Sequence, residues 1–163
     1  MDGNNKEKIE RFVSEEAGKL GLVVLHSVFR GTDSRPVIEI TLDGERQINL
    51  SDCEAVSKST LQFIDNTLNK AANYRLDVLS PGVDEPLIYD YQLKRSLEKT
   101  ILIKCKNEDK ETEKTGKLLS FTNEALEIVE FPSSLRKGSP KEGKQVTIPR
   151  SEVTFIKQVA LIR

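Results

Sequence analysis

The chain has 163 residues and a formal net charge of −1, with 37% hydrophobic and 31% charged residues, enough for one ordinary domain or two small ones with a well-solvated surface. No apolar run approaches the roughly 18–20 residues of a membrane span, and the opening MDGNNKEKIERF lacks the apolar stretch of a secretory signal. The near-neutral total hides an asymmetry: residues 1–90 carry 10 Lys/Arg against 16 Asp/Glu, and residues 91–163 carry 15 against 10, which argues against one uniform domain.

Ile9, Phe12, Val13, Ala17 and Leu20 recur at helical spacing, and Gly21 follows where a helix C-terminus wants a left-handed residue. LVVLHSVFR (22–30) reads as a strand, GTDSRP (31–36) as a turn and VIEITLD (37–43) as a second strand, together an antiparallel hairpin. Ser51 with Glu54 three residues on fits a capping box, and Cys53, Val56, Leu61, Ile64 and Leu68 trace an apolar helical stripe to about residue 69. A strand over 74–79 completes a helix–strand–strand–helix–strand unit, with two helices on a three-stranded sheet.

YRLDVLSPGVDEPL (74–87) starts as that strand and then stiffens. Pro81 locks φ, Gly82 admits backbone conformations closed to other residues, and Pro86 holds Glu85 extended. The stretch reads as a semi-rigid connector, with Leu87 and Ile88 expected at the interface between two domains.

Beyond it, YDYQLKRSLEK (89–99) suits a short helix or turn. ILIKCKN (101–107), GKLLSFT (116–122), ALEIVEF (125–131), QVTIPR (145–150) and TFIKQVALI (154–162) are five short strands without a long helix between them, the pattern of a small β-barrel. FPSSLRKGSPKEGK (131–144) reads as a basic loop between strands. The expected fold is α+β, an N-terminal domain over 1–87 and a barrel over 88–163.

Catalysis finds little support. The single histidine, His26, falls in mid-strand, whereas acid–base chemistry needs it in a cleft with partners. Cys53 and Cys105 are far apart within apolar patterns, reading as reduced core thiols of a cytosolic protein and not as a zinc site. Neither GxxxxGK[ST] nor GxGxxG occurs, and Asp77, Asp84 and Glu85 do not form a convincing metal cluster. No catalytic residue, metal or cofactor is expected; a small thiol or carboxylate enzyme is the least favoured reading.

Binding is better supported. Lys104, Lys106, Lys114, Lys117, Arg136, Lys137, Lys141, Lys144 and Arg150 offer a phosphate-facing surface. Tyr91, Phe121, Phe131 and Phe155 are too few, and the phenylalanines too core-like, for base-by-base reading of a single strand. The first domain has KH-like element content but no GxxG clamp, its loop running Asp43-Gly44-Glu45-Arg46. A generic RNA- or protein-binding adaptor is one reading.

INLSDCEAVSKSTLQFID followed by YRLDVLSPGVDEPL resembles the ribosome maturation factor RimP family. The likeness extends over nearly the whole chain in order and spacing, and VTIPRSEVTFIKQVALI is a looser match to the family's last two strands. It implies an αββαβ domain followed by an SH3-like barrel, in a non-enzymatic bacterial cytoplasmic factor, expected to be monomeric. Its implied partner is the immature small (30S) ribosomal subunit, through rRNA and a ribosomal protein near the decoding centre. The family's prominent surface is carried here by Ser80, Pro81, Gly82, Asp84, Pro86 and Leu87. Two positions depart from the family's habit: Leu79 stands where a second serine is usual, and Glu85 replaces an arginine, reversing the local charge.

Overall fold

The computed structural model describes residues 2–67, 73–82, 84–131 and 143–159, and the chain folds as two compact units, Met1–Pro81 and Gly82–Arg163. In the first unit α1 (Gly3–Lys19) starts at Asp2, whose carboxylate accepts the Asn4 N–H. It ends in a Schellman arrangement: Leu22 N–H donates to Ala17 O and Gly21 N–H to Gly18 O, with Gly21 at φ +71° as the sequence anticipates. β1 (Val23–Gly31) and β2 (Pro36–Asp43) form the expected antiparallel hairpin, with a bulge between Val24 and His26. β3 (Arg75–Leu79) lies parallel to β2, because α2 (Leu50–Thr67) carries the chain back across the sheet before it enters β3. The strand order is β1-β2-β3.

Ile38, Ile40 and Leu42 of central β2 pack with Ile9, Val13 and Ala17 of α1 and with Val56 and Ile64 of α2. Burying each aliphatic side chain of that size contributes roughly 1.5–3 kcal/mol.

Two details of α2 differ from expectation. The reciprocal cap is formed by Asn49 and Asp52, not by Ser51 and Glu54: Asp52 N–H donates to Asn49 Oδ1 and Asn49 N–H to Asp52 Oδ2, each at 2.9 Å. The helix starts two residues earlier than the Ser51 motif implies, so Ser51 lies inside it and spends its hydroxyl on Asn49 Oδ1. The buried row is Asp52, Val56, Thr60 and Ile64, a strict i, i+4 ridge that leaves Leu61 39% exposed. Leu68 lies outside the described residues.

The second unit opens with α3 (Asp90–Arg95) and continues as β4 (Thr100–Asn107), β5 (Lys110–Phe121), β6 (Ala125–Glu130), β7 (Lys144–Pro149) and β8 (Val153–Gln158). The five strands form one antiparallel sheet in the order β7-β6-β5-β4-β8. Its core comprises Leu87, Leu93, Ile101, Ile103, Leu118, Leu126, Ile128, Ile148 and Ile156, with Cys105. β5 begins six residues before the expected strand. Lys110–Thr115 pairs with Cys105–Asn107 and the residues before them, yet KETEKT offers no apolar residue to either face, and Lys110–Glu113 are all exposed. The centre of the 131–144 loop and the end of the 154–162 strand lie outside the described residues.

Candidate functional site

The segment after β3 belongs structurally to the second unit. Glu85 N–H donates to Gly82 O at 3.1 Å, closing a turn. Pro86 then bridges antiparallel to Lys157, and Leu87 N–H donates to Ile156 O at 2.7 Å. A proline has no N–H to give a ladder, so position 86 suits a short edge segment laid on β8. Asp84 adds a 3.1 Å ion pair to Lys157, with its own side chain 84% exposed. Leu87 is buried in the second unit's core and Ile88 is 63% exposed. Ser80, Gly82 and Asp84 are exposed, and Pro81, Glu85 and Pro86 half-buried.

Gly82 is not demanded by the backbone. Its φ lies outside the left-handed region, and an added Cβ would meet nothing within 4 Å. The stiffness of the turn comes from its prolines and from the anchorage to β8.

Gln92 and Lys157, which the sequence reading missed, hold this segment. Gln92 is fully buried, and its Oε1 accepts N–H bonds from Ile88 (2.6 Å) and Tyr89 (2.9 Å), tying the turn's exit to the start of α3. The signal was present: a glutamine three residues into a helix is the capping-box position. Tyr89 and Tyr91 stack at 5.6 Å. The Tyr91 hydroxyl pKa is pushed up by burial first, then by Tyr89 and Glu85.

The candidate phosphate contacts fall less favourably. Lys104 lies across from Glu113, with its ammonium 5.4 Å from the Phe155 ring. Lys106 faces Glu111, and Lys144 faces Glu130, which also pairs with Lys114. Lys117 bonds Glu98 at 2.7 Å. Arg150 spends its guanidinium on Asp90 (2.9 Å) and the Thr122 carbonyl (2.8 Å). Each of these cations has a carboxylate as its neighbour, which lowers the positive potential of the described sheet. Arg136, Lys137 and Lys141 lie outside the described residues.

The residues considered for chemistry are not arranged for it. His26 is exposed on β1, and burial raises the pKa of both the Cys53 and Cys105 thiols, which disfavours the nucleophilic thiolate.

Residues 12–84 match the family model described as the RimP N-terminal domain, from within α1 to within the turn. A "Ribosome maturation factor RimP" of Cytophaga hutchinsonii is 30% identical over 139 residues, 83% of this chain and 80% of that protein. The chain belongs to the RimP family. A second relative of the same description, from Christiangramia forsetii, is 28% identical over 158 residues, spanning 93% of this chain and 95% of its own length. The likeness therefore runs through both units in order. RimP-family proteins are non-enzymatic assembly factors, and among the described residues no helix is long and apolar enough to cross a membrane.

Proposed function

We propose that this chain is a cytoplasmic factor that binds the immature small ribosomal subunit and promotes its maturation. The observation that carries this reading is the collinear match to curated ribosome maturation factors over 93% of the chain. The turn residues Ser80, Pro81, Gly82, Asp84, Pro86 and Leu87 form the partner surface, with Leu87 as its buried anchor and Ser80, Gly82 and Asp84 as its exposed face. The partner there is a ribosomal protein near the decoding centre.

For rRNA, the cations that remain after the sheet's carboxylates are counted concentrate in the loop. Residues 132–142 hold three Lys/Arg against one Asp/Glu. Arg136, Lys137 and Lys141, with Lys144 at the loop's end, are the principal phosphate contacts in this reading; Lys104, Lys106, Lys117 and Arg150 are secondary. Such contacts release counterions, so binding weakens as salt rises. Pelleting the protein with purified immature small subunits tests this: association at low salt that declines at raised salt is expected, and none at either condition contradicts the reading.

A further inference from the structure

Three consecutive backbone N–H groups after the turn are tied to acceptors on buried residues. Leu87 N–H donates to Ile156 O at 2.7 Å, and the N–H groups of Ile88 (2.6 Å) and Tyr89 (2.9 Å) share Gln92 Oε1. Ile156 is 6% exposed and Gln92 fully buried. Capping α3 requires only the Tyr89 bond; the bond to Ile88 fixes a residue outside the helix. The side chains carried by this fixed backbone nevertheless stay in solvent, Ile88 63% and Tyr89 51% exposed. A residue placed as Ile88 is commonly packs on the fourth residue of the helix, here Leu93. The two line one cleft, but the exposure of Ile88 leaves most of its surface unused by such packing.

We propose that Ile88 and Tyr89 anchor a contact with a protein of the small subunit, and that Gln92 is the positioning residue that presents them. The proposal rests on the reading of the turn as a partner surface and extends that surface beyond Leu87. Side chains on a backbone already held in one conformation lose less entropy on binding than those of a free loop. Tyrosine is among the residue types that dominate protein interfaces.

Charge at this place favours protein over RNA. Lys157, which bridges Pro86, pairs with Asp84 at 3.1 Å. Arg150, which lines the cleft with Ile88, pairs with Asp90 at 2.9 Å. Lys104, over the Phe155 ring, lies across from Glu113. Each cation is already matched by a carboxylate, so none offers a phosphate uncompensated charge. Pro86, Val153 and Phe155 continue the apolar surface along the cleft beside Ile88, which suits an apolar side chain of the partner.

The test combines pelleting of the full chain with immature small subunits and amide hydrogen exchange followed by NMR. Ile88→Ser with Tyr89→Ser should weaken association at least about tenfold at an unchanged melting temperature, since serine suits the start of a helix. Gln92→Leu removes the shared acceptor and should weaken association as far, with faster exchange at the Ile88 and Tyr89 amides and unchanged exchange across β4 and β5. Gln92→Glu keeps an acceptor for both N–H groups and should retain association. Parental binding by the double variant overturns the anchors, and a lowered melting temperature would show that Ile88 and Tyr89 pack inside the chain instead. Loss of association by both Gln92 variants, with faster exchange throughout the second unit, would reduce Gln92 to a structural role. Failure of the parent chain itself to pellet would remove the ribosomal reading and this contact with it.

Discussion

Arg46 grips Asp52 with two parallel hydrogen bonds of 2.8 Å each, Nη1 to Oδ2 and Nη2 to Oδ1. The same guanidinium donates to the Leu20 carbonyl at 3.1 Å, so one side chain joins the end of α1 to the start of α2. Asp52 meanwhile caps α2 through Asn49. A lysine cannot reproduce the planar fork. Arg46→Lys is expected to cost about 1–2 kcal/mol in urea unfolding, and a loss below experimental error would show the fork to be ornamental.

The pair also sets an acid limit. Hydrogen bonds from Arg46 first, then the Asn49 N–H, lower the Asp52 pKa from 3.8 to about 2. A depressed carboxylate pKa stabilises the fold above the unfolded value, and the contribution is lost as pH falls through about 4 towards 2. Arg46 is 45% exposed, so solvent screening reduces the contribution to about 1 kcal/mol. The stability gap between the chain and its Asp52→Asn variant should accordingly narrow between pH 6 and pH 2.5; a gap that stays constant contradicts the assignment.

Within the turn, packing should outweigh charge. Leu87 is 6% exposed inside the second core, and Leu87→Ala is expected to cost about 2–4 kcal/mol. Asp84→Ala removes a surface ion pair and should cost less than about 1 kcal/mol. Similar losses for both, measured by thermal unfolding, would mean that the segment is held differently.

Gly82→Ala separates fold from function at the same place. With open space for a Cβ and no left-handed φ, the variant should be as stable as the parent or more so by up to about 1 kcal/mol, through a less flexible unfolded chain. Weaker pelleting with small subunits despite unchanged stability would support the turn as a contact surface. A loss of stability above about 1 kcal/mol would refute the geometry.

Where hydrophobic period and turn chemistry agree, as in α1 ending at Gly21 or in β2 with Ile38, Ile40 and Leu42 inward, the elements were legible in sequence. The N-terminus of α2 was misread because Ser51/Glu54 and Asn49/Asp52 both satisfy the same spacing, and Arg46, a tertiary partner, favours the second. KETEKT hid the first half of β5, since it holds no apolar residue from which an alternation could be read. Leu61 fits the helical stripe by spacing alone, but the i, i+4 ridge of Val56, Thr60 and Ile64 takes the core-facing positions. The turn was found by its prolines, whereas its attachment to β8 through Lys157 joins residues more than 70 apart and leaves no local trace.

The candidate phosphate contacts rest on the basic excess of the second half, but strand pairing sets Glu113, Glu111 and Glu130 beside Lys104, Lys106 and Lys144, and ion pairs set Glu98 and Asp90 against Lys117 and Arg150. Lys104→Glu with Lys106→Glu is therefore expected to alter small-subunit pelleting less than twofold, whereas Arg136→Glu with Lys137→Glu reduces it at least tenfold and flattens its salt dependence. The reverse ranking would return the contact to the sheet.

The most direct test of the central claim, that this RimP-family chain matures the small subunit, is the sedimentation profile of ribosomal particles from cells lacking it. The account predicts accumulation of free small subunits containing unprocessed rRNA, restored to normal by the intact gene. A profile indistinguishable from that of the parent cells under growth-limiting conditions would contradict it.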